Sequence, residues 1–197
     1  MKIHVNTICL SLCLGLATMG VVTTFTGCAG DRYNRSTGEY IDDKSIDSRV
    51  KDALGDNGEY KFNDVQVVSF KGTVQLSGFV ETRDQRSKAD DIAKTVQGVR
   101  DVEDNITVQS DIQRTSDEYR DDKDLASRVS RALRDNPDYK FDEVSVIAVK
   151  GTVQLSGFVD TSDQKSRAGD IARGIDGAKD VANNITVKEK LASNGQP

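Results

Sequence analysis

The side chains best suited to covalent or metal chemistry crowd into the first 28 residues. The only histidine is His4, and the three cysteines are Cys9, Cys13 and Cys28. Beyond Cys28 there is no histidine, so a Ser/His or Cys/His nucleophile pair has no base. A zinc site built from its usual nitrogen and sulfur ligands fails for the same reason. Carboxylate pairs remain, Asp90-Asp91 and Asp121-Asp122. They have the groups for acid–base work or for Ca²⁺. Asp90 gives way to Gly169 in the second copy of a repeat described below, so that pair is not duplicated. Both pairs read as solvated helix-surface or linker charge. The glycine-rich segments do not match a phosphate-binding loop. These absences argue against an enzyme, a metal centre and a bound cofactor.

Cys28 is the exception. Lys2 and His4 give a weakly basic start, and Ile8 to Val22 form an apolar run too short and too poorly flanked for a membrane span. The run ends in Phe25-Thr26-Gly27-Cys28, which resembles the bacterial lipobox, with Phe25 where Leu is preferred. That resemblance implies a signal peptide over 1–27, cleavage before Cys28, a diacylglycerol thioether on its sulfur and acylation of the new N-terminus. Several acyl chains give stable anchoring where one is marginal. Ala29, in place of the Asp of the enterobacterial retention signal, implies the outer membrane, facing the periplasm. The alternative is ordinary secretion to the periplasm with Cys28 as a free thiol. Cleavage removes Lys2 and no acid, so the formal charge moves from −5 to −6. Residues 28–44 are polar and aperiodic and read as a flexible tether, with Tyr33 and Tyr40 as solvated or headgroup-level residues.

The rest of the chain is a duplication. KGTVQLSGFV runs from Lys71 to Val80 and returns from Lys150 to Val159, an offset of 79 residues. Residues 45–108 and 124–187 align without a gap, with 37 identities in 64 positions. In each copy Val74 and Leu76 (Val153 and Leu155) alternate with polar residues, the period of a strand with one buried face. Lys71-Gly72 and Lys150-Gly151 read as tight turns, since Gly accepts positive φ. Gly78 and Gly157 interrupt a strand pattern, which predicts close packing, with a crossing helix as the expected neighbour. Ile46, Val50, Ala53 and Leu54 make a helical face behind Ser45 as N-cap. Ala89, Ile92, Ala93 and Val96 make a second face, with Thr82 or Asp84 as cap and Gly98 as stop. DVEDNITV closes the unit as a strand. The order helix, strand, strand, helix, strand predicts an α+β fold with helices on one face of a small sheet. The expected boundaries are 45–109 and 124–190, joined by a charged linker at 110–123 and followed by a disordered tail at 191–197.

In this element order, the two GTVQLSG segments and the closing patterns GVRDVEDNITV from Gly98 and GAKDVANNITV from Gly177 resemble the BON-domain family, bacterial OsmY and nodulation proteins. With the lipobox, the chain resembles the family's dual-domain outer-membrane lipoproteins. The resemblance implies a phospholipid-binding role tied to envelope integrity and osmotic stress. A periplasmic chaperone or adaptor that binds envelope proteins is the alternative.

Charge locates the candidate contact. Residues 45–111 carry 9 basic and 13 acidic side chains, whereas 124–190 carry 11 of each. The acidic chain as a whole disfavours nucleic acid. Arg128, Arg131 and Arg134 form a stripe beside the apolar face of the second unit's first helix; Arg49, Asp52 and Gly55 stand there in the first. Guanidinium suits lipid phosphate, so anionic membrane phospholipid is the expected partner, with Tyr139 and Phe141 as the nearest aromatic residues. The competing reading is i,i+4 pairing, Asp124 with Arg128 and Arg131 with Asp135.

Overall fold

A computed structural model describes residues 36–110 and 112–188. Cys28, Tyr33, the signal segment 1–27 and the tail 191–197 lie outside them. The order is α1 (Thr37–Gly55), β1 (Val65–Phe70), β2 (Thr73–Val80), α2 (Arg83–Thr95), β3 (Asp101–Val108), α3 (Ser116–Arg134), β4 (Val144–Val149), β5 (Thr152–Val159), α4 (Ser162–Arg173) and β6 (Asp180–Val187). The fold is α+β, two tandem units of the same design.

In each unit β1–β2 or β4–β5 is an antiparallel hairpin. The crossover helix then returns the chain, so the last strand lies parallel to the central one, giving orders β1-β2-β3 and β4-β5-β6. Each hairpin turns on two residues of positive φ, Lys71 (50°) with Gly72 (81°) and Lys150 (52°) with Gly151 (82°). That twist matches the flanking strands. Val74, Leu76 and Val80 face Val50, Leu54, Ala89 and Ala93 of the helices, and the second unit repeats this core with Val153, Leu155, Val129, Leu133, Ala168 and Ala172. Thr82 and Thr161 cap α2 and α4, each with a glutamine three residues on completing a capping box.

Two expectations are corrected here. The first helix of each unit starts earlier than the apolar periodicity shows. Ser36, not Ser45, is the N-cap of α1, with Glu39 closing a capping box; Thr115 and Glu118 do the same for α3. Nearly half of the expected tether and just over half of the expected linker are therefore helix. The early turns are polar because they extend past the core, and the cap rather than apolar burial sets where they begin. The signal was present: S-T-G-E-Y-I-D-D-K at 36–44 and T-S-D-E-Y-R-D-D-K at 115–123 share five of nine residues at the same 79-residue offset.

The second correction concerns the faces of the central strands. Gln75, Ser77, Gln154 and Ser156 are at most 1% exposed. The face predicted to meet water is packed against the other unit. Gln75 Nε2 donates to Asn184 O at 2.8 Å and to Thr186 Oγ1 at 3.0 Å, while its Oε1 accepts from Gly157 N. Gln154 Nε2 donates to Asn105 O at 2.7 Å, and its Oε1 accepts from Gly78 N. Ser77 and Ser156 meet at 2.7 Å. Apart from the Thr186 contact, these bonds map onto one another when 79 is added to or subtracted from the residue numbers, the mark of a pseudo-isologous pairing of two like surfaces. Phe158 stacks on Phe70 at 5.4 Å, and Phe79 packs on Ile147 and Val149.

A candidate anion-binding groove

The groove between the units begins with a buried charge. Arg114, ahead of α3, sends Nη2 to Asp64 Oδ2 of the first unit and Nη1 to Asp122 Oδ2 at 3.1 Å; its side chain is 8% exposed. Burial alone would lower the guanidinium pKa, but the hydrogen bonds and charges of Asp64 and Asp122 outweigh it and hold it above its ordinary value. Asp122 also accepts from the amides of Lys150 (2.9 Å) and Gly151 (3.2 Å), bracing the β4–β5 turn. Asp43 does the same for Lys71 (2.8 Å) and Gly72 (2.9 Å). The Asp121-Asp122 pair is thus not a solvated charge face: Asp122 is 5% exposed and committed to the turn. Asp90 pairs with Lys94 on the surface of α2.

Above Arg114 the groove has a volume near 490 Å³ and is walled by Lys123, Ser127, Ser130, Arg131 and Arg134 of α3, by Gln66 of the first unit and by Val146–Ala148 of β4. Both acids that line it, Asp64 and Asp122, are held by Arg114. Lys123 sits over the Tyr119 ring at 5.2 Å. Arg131 and Arg134 are exposed and, among the described residues, make no hydrogen bond or ion pair through their side chains. The i,i+4 pair expected between Arg131 and Asp135 is not formed. The groove therefore offers net positive charge with hydroxyls beside it, in an acidic chain.

Arg128 behaves differently from the other two. Its Nε binds Asp124 Oδ2 at 2.9 Å and its Nη1 donates to Asp176 O at 2.7 Å. It ties α3 to the loop after α4. Arg49 holds the same place in the first unit, its guanidinium against Gly98. The arginine stripe thus divides into one brace, Arg128, and two cations uncommitted among the described residues. The rings of Tyr139 and Phe141 lie 6.3 Å apart, inclined at 59°, and Phe141 belongs to the core.

The glycines are structural in ways the sequence left open. A Cβ on Gly78 would lie 1.9 Å from Asp64 O, and one on Gly157 equally close to Glu143 O, at φ of +118° and +115°. The close neighbour is the adjacent strand, not a helix. Gly72 and Gly151 pack against the side chains of Arg100 and Lys179. Among the described residues, no group of His, Cys, Asp and Glu side chains has the arrangement to hold a metal ion, and no helix is long and apolar enough to cross a membrane.

Comparison with known proteins places this geometry. The family described as BON domain matches residues 42–110 and 121–189. The chain is 35% identical over 163 residues to osmotically-inducible protein Y of Escherichia coli K12, covering 81% of each chain. It is 34% identical over 148 residues to outer membrane lipoprotein DolP of Haemophilus influenzae, covering 75% of each. Among solved structures it is similar to the C-terminal domain of CdsD, a structural protein of the type III secretion system of Chlamydia trachomatis. That likeness, 16% identical with a TM-score of 0.29 over 75% of this chain and 65% of that one, is too low to carry an argument.

Proposed function

The chain belongs to the BON-domain family, and from that premise we propose that it is a non-catalytic lipoprotein of the outer membrane's periplasmic face, anchored through acylated Cys28, that engages anionic phospholipid along α3 and supports envelope integrity or osmotic tolerance. The observation that carries the lipid contact is the pair Arg131 and Arg134, exposed and without hydrogen-bond or ion-pair partners among the described residues, on the rim of a groove whose two acids are both paired with Arg114. A planar guanidinium accepts a phosphate in two-point contact. Ser127 and Ser130 add hydroxyl donors. The anchoring reading is supported by the F-T-G-C motif and by the relative whose name describes an outer membrane lipoprotein. The stress reading is supported by the relative described as osmotically inducible.

The test is co-sedimentation of a soluble form beginning at Ala29 with vesicles containing phosphatidylglycerol. Arg131→Glu with Arg134→Glu weakens binding by at least about thirtyfold, taking about 1 kcal/mol per basic residue near an anionic surface. Binding indifferent to phosphatidylglycerol content, or unchanged by the two substitutions, sinks the lipid contact. In-cell crosslinking that recovers one defined envelope protein through the same groove points instead to an adaptor.

A further inference from the structure

The two largest exposures of bulky apolar side chains among the described residues are neighbours: Tyr40 at 47% and Ile41 at 61%. Both lie near the start of α1. The duplication supplies an internal control. Position 41 corresponds to Arg120, whose side chain is 76% exposed and paired with Asp117. The flanking pattern E-Y-x-D-D-K is kept in both units, and the site between Tyr and Asp holds a β-branched hydrocarbon in the first unit and a cation in the second. A single exposed isoleucine is ordinary on a protein surface, so its place in the chain must supply the rest of the argument.

That place is set by the anchor. With α1 capped at Ser36, only seven residues stand between Cys28 and the helix. Fully extended, eight Cα–Cα steps reach at most about 28 Å, whatever their conformation. Ile41 is five residues further along, about 8 Å of helix. On the reading that Cys28 is acylated, this end of α1 cannot leave the vicinity of the bilayer.

We infer that Tyr40 and Ile41 seat the first unit in the interfacial zone of the membrane that holds Cys28. Tyrosine suits that zone because its ring is apolar and its hydroxyl stays wet. Lys44 lies over the Tyr40 ring at 5.7 Å and is paired with Asp47 at 3.2 Å. Glu39 is occupied by the Ser36 cap, and Asp42 is exposed. The seat is therefore apolar rather than anion-seeking, and it engages zwitterionic lipid as readily as anionic lipid. This separates it from the groove on α3.

The chain contains no tryptophan, so Ile41→Trp reports alone. The full-length acylated protein is reconstituted in phosphatidylethanolamine vesicles with brominated acyl chains, with Arg120→Trp as the matched control. The expected result is a blue-shifted emission quenched by bromine for Ile41→Trp, water-like and unquenched for Arg120→Trp. Added phosphatidylglycerol leaves this difference unchanged. An acylated, vesicle-bound protein whose Ile41→Trp emission matches the control overturns the seat and leaves the anchor standing. An N-terminal peptide mass without acyl chains overturns the anchor, and the seat falls with it.

Discussion

Gln75 and Gly157 sit on different units, 82 positions apart, and share a buried hydrogen bond from the glycine amide to the glutamine carbonyl oxygen. Gln154 returns the bond to Gly78. The repeated GTVQLSG segment is thus two devices in one. Its Val and Leu fill the core of their own unit, and its Gln, Ser and second Gly bind the other copy. A buried amide with both ends satisfied specifies a pairing that an apolar patch would leave loose.

Replacing Gln75 with Leu keeps the volume and removes both ends of the amide. Gly157 N–H and Asn184 C=O then lose a buried partner. The expected loss is about 2–6 kcal/mol, at about 1–3 for each orphaned group. Urea unfolding measures it, and Gln154→Leu costs a similar amount. A single change that leaves the unfolding midpoint in place would mean that the units do not depend on this network.

Gly157→Ala puts a methyl carbon into the Glu143 carbonyl at a φ that L residues rarely adopt. A loss of at least about 3 kcal/mol follows from strain and overlap together. Gly55, at the end of α1, has nothing within 4 Å of its missing Cβ. Gly55→Ala should therefore be neutral or stabilise by up to about 1 kcal/mol. Thermal melts check both: Gly157→Ala lowers the melting temperature, and Gly55→Ala leaves it in place or raises it.

The adjacent acids Asp121 and Asp122 separate sharply. Asp122→Ala frees two turn amides and leaves Arg114 half-paired in a buried site, at a cost of about 3–5 kcal/mol. Asp121 is exposed, and its removal shifts stability by no more than about 0.5 kcal/mol. Equal effects from the two variants would contradict the turn-bracing role.

Arg128 and the pair Arg131 and Arg134 should come apart in the same way. Arg128→Ala loses the bond to Asp176 O and lowers stability by about 1–2 kcal/mol. Arg131→Glu with Arg134→Glu leaves the melting temperature nearly unchanged and acts on vesicle binding. Using all three substitutions together would confuse a folding effect with a binding one.

Glu118 has its pKa lowered from 4.5 first by the Thr115 backbone amide and then by the Thr115 hydroxyl; Glu39 has the same relation to Ser36. A depressed folded-state pKa contributes stability that is present above 4.5 and is lost as pH falls through the lower folded value. Glu118→Gln preserves the capping box, because Gln also accepts the amide, but removes this part of the acid sensitivity. Urea midpoints followed downward from pH 4.5 should decline less steeply in the variant; an unchanged slope would show that the cap does not titrate with folding.

The element order was readable because each apolar face repeats at a helix or strand period, and the duplication checks each assignment against a second copy. The first turns of α1 and α3 were missed because they bury almost nothing. Their boundary is written in a capping box and in Asp43 and Asp122, whose partners lie 28 and 29 positions downstream. The arginine stripe was legible as charge, but its division was not: whether a guanidinium is free depends on a carbonyl 48 residues away.

By itself the sequence determined the two-unit α+β plan, the hairpin turns and the supply of reactive groups. These follow from local periodicity, φ preference and residue type. Only the tertiary structure decided that the polar face of each central strand is interior and that Arg114 is a buried link between units. It also decided that two of three arginines are uncommitted. Those outcomes depend on which surfaces meet, and a polar residue facing water has the same spacing as one facing a complementary copy of itself.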